Sequence, residues 1–355
     1  MSHSPSVDII IAVHSDARPI ERAVASVLNQ HIENLSVTVV CHNIEQKKIT
    51  ARLGEFLDHP QLRILTLTDN IPSPAGPFNF GIEHSTSDFF AVMGSDDELE
   101  AGTIASWLRV QRVRNAEVVI SNIRHAAGGR VRTPPTRLFR DQRLEGVRDR
   151  LSYRTAQLGL VSRKTFGQLR FSTGLRSGED IAYGLSLWFS GKNIAFDRKG
   201  PAYLVHNDGD DRTSYTARPI EEDFAFLDHI LNGPLNDSFT QQQRTAIATK
   251  LLRTHVFDAV INRSTSDAFA ESREDLALVI LRILAWAPRG RTPLSILDDS
   301  LITLLSDPES SNSEILQKLE RRKRYLAVQN LLTKRLSQLF RRDAPLRYFL
   351  ASALQ

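Results

Sequence analysis

Cysteine is almost missing from this chain: Cys41 is the single thiol in 355 residues. That excludes a disulfide framework within the chain and any multi-cysteine zinc site. No apolar run reaches the roughly 18 residues that span a bilayer. No apolar core follows a basic start at the N-terminus, so no secretory leader is expected and a cytoplasmic protein is. There is no GxxxxGK[ST] loop, GxGxxG fingerprint, GxSxG elbow or HExxH pair. P-loop nucleotide hydrolysis, nicotinamide oxidoreduction, serine hydrolysis and zinc proteolysis all lose support. A strong overall charge is missing too, the formal net charge being +4. Residues 315–355 alone carry ten Lys/Arg against two Asp/Glu, so the rest of the chain sums to −4. The basic character belongs to a tail, which points to an anionic partner there and not to a globally nucleic-acid-binding protein.

What is present reads as α/β. At roughly 150 residues per domain the length predicts about two domains. Val7–Val13 is rich in β-branched residues and reads as a buried strand; Val37–Cys41, Leu62–Leu67, Phe89–Met93 and Ala116–Ser121 follow. Between the first two, Pro19 suits the first turn of a helix, with Asp16 as cap and Ile20, Ala23, Val24, Val27 and Leu28 as its apolar face. This alternation predicts a mostly parallel sheet with flanking helices. Residues 126–150 are rich in Gly, Pro and Arg and read as loops or a hairpin. A helix opening at Gly178-Glu179-Asp180 precedes strands near 194–196 and 202–205. Beyond 218 the pattern is helical, over roughly 220–231, 238–261, 273–286, 294–305 and 313–340. The boundary is placed so that 1–215 form one domain and 216–355 a helical second one.

Two acidic pairs stand out by position. Asp96-Asp97 follows an apolar strand, and ligands of open parallel sheets bind outside the carboxyl ends of strands. The pair can hold Mg²⁺ or Mn²⁺ against a diphosphate; equally, Asp96 can cap a helix beginning near Glu100. Glu179-Asp180 sits at a helix start, either as first-turn residues favoured by the helix dipole or as a general base on a rigid support. His206 is either a third metal ligand or a structural histidine.

Three segments together resemble family 2 glycosyltransferases of the GT-A fold. VDIIIAVHSDARPIERAVASVLNQ resembles that family's first strand, nucleotide-contacting loop and first helix. FNFGIEHSTSDFFAVMGSDDELEAGT resembles its N-x-G-[IL] helix, next strand and DxD stretch, and GEDIAYGLSLW its acidic helix-start motif. Order and spacing match over about 7–215. The resemblance implies a GT-A catalytic domain with Mn²⁺ or Mg²⁺. Ala12, Val13 and His14 would line the nucleotide, with Asn79, Gly81 and Ser95 shaping the donor pocket. Asp96 would sit closest to metal and diphosphate, supported by Asp97 and by His206 as a late ligand. Asp180 would be the base that deprotonates the acceptor, with Glu179 beside it, and Arg212 would neutralise the leaving diphosphate. The implied reaction is a single-step inverting transfer from a nucleoside-diphosphate sugar to a glycan or lipid-linked hydroxyl, such as an envelope or teichoic-acid-like polymer.

The chain departs from the family pattern in three places. D-x-D-D begins here with Gly94. The Asp-Asp-Gly-Ser after the second strand, which carries the uracil-recognising Asp, is replaced by Cys41-His42-Asn43. Ala-Arg-Asn becomes Pro77-Phe78-Asn79, where Phe78 either stacks on a base or fills core. The alternative to an enzyme is therefore a degenerate GT-A module that binds a nucleotide sugar or a protein without turnover. In the tail, Arg321-Arg322-Lys323-Arg324, Lys334-Arg335 and Arg341-Arg342 interleave with leucines over 318–342, on and just beyond the helix expected over 313–340. Such an amphipathic helix can lie on an anionic membrane at its inner face, dock on the catalytic domain or pair with a second subunit. Nucleic acid is not expected as a partner.

Overall fold

The structure, a computed structural model, describes residues 4–206, 218–264 and 267–354. Among them the chain forms two compact units. The first comprises Met1–Val131, Arg140–Leu144 and Thr155–Arg212; the second comprises Arg132–Phe139, Glu145–Arg154 and Thr213–Gln355. Two stretches of the Gly/Pro/Arg-rich region thus belong to the helical unit, which is not confined to residues beyond 216.

The first unit is built on a seven-stranded sheet. Its strands are β1 (Val7–Val13), β2 (Leu35–His42), β3 (Leu62–Leu67), β4 (Phe89–Gly94), β6 (Val118–Ser121), β8 (Gly159–Ser162) and β9 (Ile194–Asp197). Their order is β3-β2-β1-β4-β8-β6-β9, and only β8 runs against its neighbours. β1 shows why the sheet is parallel and covered: its β-branched residues are buried on both faces. Asp8 is the exception in its chemistry. It is buried, accepts from the Thr38 hydroxyl at 2.8 Å and pairs with Arg63 at 3.2 Å. Burial still pushes its pKa up against those partners. A three-stranded sheet, β5 (Glu98–Leu99), β10 (Tyr203–Val205) and β7 (Ile123–His125), stands beside the main one, in the order β5-β10-β7.

Helices α1 (Ile20–Leu28), α2 (Gln46–Leu53), α3 (Ala75–His84), α4 (Thr103–Arg114), α5 (Arg163–Phe166) and α6 (Glu179–Trp188) complete this unit. In α1 the buried residues are Ile20, Ala23, Val24, Val27 and Leu28, the face expected from the sequence. Pro19, not Asp16, occupies its N-cap position. β8 was not foreseen. It begins at Gly159, with φ +129°, where a Cβ would lie 2.1 Å from the Val119 carbonyl oxygen. Only glycine allows that approach.

The second unit is helical. Its Gln241–Leu251 helix starts three residues later than the hydrophobic pattern indicates, because Thr240 and Gln243 form a reciprocal capping box. It continues through a π turn, Leu252–Val256, into Phe257–Ile261. The expected helix over 313–340 is a correction: it spans only Asn312–Arg322. The Asn330 side-chain amide folds back and donates to the carbonyls of Arg321, Arg322 and Arg324, which ends the helix. Arg322 turns inward to Asp298 at 2.8 Å and over the Phe257 ring. A continuous amphipathic helix of the membrane-surface type is therefore not formed. No helix among the described residues is long and apolar enough to cross a membrane.

His255 lies in the π turn, where the Lys250 ammonium donates to its Nε2. Burial first, and then the Lys250 charge, holds its pKa well below the usual 6.5. The unfolded chain takes up a proton near pH 6.5 and the folded one does not. Stability is therefore expected to fall as pH drops below about 6.5, by up to about 1.4 kcal/mol per pH unit from this group. Melting curves between pH 7 and 5 check this: His255→Gln should show the smaller loss, and parallel losses in both proteins would remove His255 as the cause.

Candidate active site

Strand order fixes where a ligand can sit. From β1 the chain steps to β2 and β3 on one side, then crosses to β4 on the other. The carboxyl ends of β1 and β4 therefore flank the crevice where the order reverses, the standard ligand position of open α/β sheets. Ala12 of β1 pairs with Gly94 of β4 at that edge. Ala12 is partly accessible and His14 exposed, whereas Val13 is fully buried in the core and offers the crevice only its backbone.

Gly94-Ser95-Asp96-Asp97 forms the opposite lip. Asp96 is 8% exposed, and its Oδ2 accepts from Arg18 Nη1 at 2.5 Å. Arg22 of α1 donates to the Asp96 carbonyl. Asp96 does not cap a helix, since α4 begins at Thr103 behind Gly102. Asp97 Oδ2 accepts from the Tyr203 hydroxyl at 2.5 Å, and that hydroxyl accepts from the Gly94 N–H at 3.0 Å. Burial, then the charge of and hydrogen bond to Asp97, push the Tyr203 phenol well above its usual pKa, so it stays a donor. A Cβ on Gly94 would stand 2.7 Å from Asp97 Oδ2 and 3.0 Å from Asp96 Oδ1. The two carboxylates have closed over the place where the family pattern carries its first Asp. Tyr203→Phe removes one donor and leaves a buried N–H unpaired; a loss of about 1–3 kcal/mol is expected in urea unfolding. An unchanged midpoint would show that Asp97 is held by other means.

The metal reading divides. His206 is not gathered with the two aspartates: its backbone N–H donates to Asp97, but its ring Nε2 faces Glu98 Oε2 at 3.1 Å. Among the described residues no group of three His, Cys, Asp or Glu side chains is assembled for a cation. Asp96 and Asp97 nevertheless present hard oxygens around one point. Mg²⁺ is commonly held by one or two carboxylates plus substrate phosphates. The donor set fits a cation that is shared with a diphosphate, not one caged by protein alone.

On the β2–β3 side, His42, Asn43 and Asp69 form one cluster. Asp69 Oδ1 meets His42 Nε2 at 2.8 Å and accepts from the Asn43 amide and the Ile71 N–H. Asn43 Oδ1 in turn accepts from the backbone N–H groups of Asp69 and Asn70. Burial raises the Asp69 pKa, but hydrogen bonds from Ile71, His42 and Asn43 outweigh it and hold the carboxyl below its usual value. Sequence reasoning missed Asp69. Its signal was the polar run Asp69-Asn70 directly after a strand. Cys41 is buried and its thiol is pushed up to about 11, so it is not a nucleophile.

Glu179 and Asp180 open α6 behind Gly178, which takes φ 76°. α6 leads into β9, whose start pairs with the start of β6 at the amino edge of the sheet. Phe171 stacks on Tyr183 of α6 at 4.1 Å and sits 5.5 Å from Phe78. Phe78 thus belongs to an aromatic stack. Asn79 of α3 exchanges two hydrogen bonds with the Phe171 backbone, at 3.0 and 2.8 Å. Asn79 ties α3 to the segment before α6. Gly81 likewise serves packing: a Cβ there would lie 2.3 Å from Ile10 Cγ2. Ser95 is buried, and Arg212 lies outside the described residues.

Comparison with known proteins agrees with the fold. The profile described as Glycosyl transferase family 2 matches residues 8–174. A curated relative, the succinoglycan biosynthesis protein ExoO of Rhizobium meliloti (strain 1021), is 27% identical over 119 residues. That match covers 34% of this chain, and the chain spans about a third of the length of that relative, 33%. Among solved structures, residues 1-349 of S. aureus TarS in complex with UDP-GlcNAc superpose with a TM-score of 0.68 at 14% identity, covering 90% of this chain and 91% of that one. The same TarS fragment in complex with UDP gives a TM-score of 0.64 at 15% identity, with the same coverage. At such identity the likeness is one of fold.

Proposed function

With residues 8–174 belonging to glycosyl transferase family 2, we propose that this glycosyltransferase moves a sugar from a nucleoside diphosphate to an acceptor hydroxyl with inversion at the anomeric carbon. The observation that supports the reading is the position of Asp96-Asp97 directly after β4, at the β1/β4 edge where the strand order reverses.

In this reading the diphosphate lies across the ends of β1 and β4. Asp96 and Asp97 would hold Mn²⁺ or Mg²⁺ there, and such a cation would supply screening of the charge that builds on the leaving group. Tyr203 and the His206 N–H fix Asp97. Arg18 gives up its pairing with Asp96 to the incoming diphosphate complex and turns its charge to the diphosphate oxygens. Asp180 accepts the acceptor proton as the hydroxyl oxygen bonds to the anomeric carbon; the C–O bond to the diphosphate breaks and its electron pair leaves with the nucleotide. Geometry matters more here than a raised pKa, because the hydroxyl becomes acidic only as the new bond forms. The base is read by Asp69, Asn43 and His42, which place a carboxylate beside β2 from the neighbouring strand instead of from β2 itself. TarS has been crystallised with UDP-GlcNAc, which makes UDP sugars the first donors to try. The name of ExoO, a succinoglycan biosynthesis protein, supports a polysaccharide or its lipid-linked precursor as the first acceptor class to try.

The test is donor turnover across UDP, GDP and dTDP sugars with Mg²⁺ or Mn²⁺. Release of the nucleoside diphosphate from one of them supports the reading. Tight nucleotide binding with no release from any would leave the degenerate module.

A further inference from the structure

The helical unit contains a cavity of about 320 Å³ lined by Val147, Gln242, Thr245, Arg341, Arg342 and Asp343, among others. Its charge is out of balance. Four guanidiniums, those of Arg150, Arg253, Arg342 and Arg347, act on the single carboxylate of Asp343. Two of them are deeply placed, Arg150 at 4% and Arg253 at 8% exposure. Arg150 is 3.7 Å from Asp343 Oδ1, and Arg253 donates to the Asp343 carbonyl at 2.6 Å.

Their remaining hydrogen bonds go to neutral acceptors. Arg150 donates to the carbonyls of Pro135 and Arg342. Arg253 donates to the Tyr153 hydroxyl at 2.8 Å and the Pro293 carbonyl at 3.2 Å. Arg342 donates to the Arg148 carbonyl. The other nearby carboxylates are ion-paired to further cations, although Asp149 also acts on Arg342 and Asp298 on Arg253. Asp149, fully buried, is gripped by Arg137 through two bonds of 2.8 and 2.6 Å. Glu145 pairs with Arg137 and Arg148, and Asp298 with Arg322. Hydrogen bonding is satisfied but charge is not, and excess buried charge of one sign is expensive unless an anion compensates it.

We propose that this cavity is a binding site for a phosphate-type oxyanion, taken by Arg341 and Arg342 with Gln242 as a neutral donor. Guanidinium forks match the tetrahedral oxygens of phosphate, and Arg341 is an exposed cation on the cavity wall. Every residue in it belongs to the helical unit.

Calorimetric titration of the full chain with inorganic phosphate, at constant ionic strength in chloride, tests the proposal. Saturable binding is expected. Arg341→Glu should weaken it by about tenfold or more. Asp343→Asn should strengthen it severalfold, because it removes the one negative charge facing the anion; a cluster with only a structural role would not tighten. Arg341→Glu decides the matter if Asp343→Asn does not fold. A second arm uses the diester glycerophosphoglycerol: binding comparable to phosphate assigns the site to a phosphodiester of a polymer or lipid headgroup, and binding of phosphate alone assigns it to the free ion. Absence of saturable phosphate binding, or equal affinity in wild type and Arg341→Glu, overturns it.

Discussion

Replacing Asp180 by asparagine is expected to lower sugar transfer by about 100- to 10,000-fold, the range that a positioned general base contributes, while donor affinity stays within about twofold. The two side chains are nearly isosteric, so α6 keeps its start behind Gly178. Asparagine cannot accept the hydroxyl proton, but it leaves the diphosphate side of the crevice untouched. The competing role predicts another pattern. If Asp180 only favours the helix dipole, Asn costs about 0.3–1 kcal/mol of stability and transfer per folded molecule is unchanged. Transfer rate and melting temperature on one preparation separate the two. Glu179→Gln serves as the control, because it changes the same first turn; equal losses from both variants would assign the effect to the helix terminus and not to a base.

Asp96→Asn is expected to abolish the metal dependence of donor binding and to weaken it by about 10- to 100-fold, by analogy with the cost of losing a residue that supports a metal ligand. The loss is twofold in nature. One hard oxygen donor disappears, and Arg18, 12% exposed at the side chain, loses the carboxylate it pairs with at 2.5 Å. Arg18→Met tests the second part alone. With the guanidinium gone, Asp96 is left available, and Mn²⁺ should be retained more strongly without nucleotide, as read by electron paramagnetic resonance. If Arg18 merely braces the loop, Mn²⁺ retention will not change. Calorimetry of the nucleoside diphosphate with and without Mn²⁺ reads the first part; an intact metal effect in Asp96→Asn would take Asp96 out of the site.

Much of the parallel half-sheet was legible because its determinants are local. The β-branched run at 7–13 and the 3.6-residue spacing of Ile20, Ala23, Val24, Val27 and Leu28 state their own burial. β8 escaped because four residues with Gly at their head carry no period of their own. The tail helix escaped because Asn330 ends it from eight residues beyond its last residue, Arg322. Asp96 and Asp97 could be read from their place at a strand end, and Asp180 from its place at a helix start. Their partners could not. Tyr203 reaches Asp97 from 106 residues away, and Arg18 reaches Asp96 from 78. Asn79 and Gly81 carry the family pattern, but here their contacts are with Phe171 and Ile10. A motif match identifies a position, while its contacts decide whether it binds ligand or packs helix on sheet.

The most direct test is a structure of the protein with a nucleoside diphosphate and Mn²⁺. The diphosphate is expected over the ends of β1 and β4, with the cation on Asp96 and Asp97, Arg18 turned from Asp96 to the phosphate oxygens, and the Asp180 carboxylate facing the space beyond the terminal phosphate. A nucleotide seated elsewhere, or an Asp180 carboxylate directed away from that space, would contradict the account.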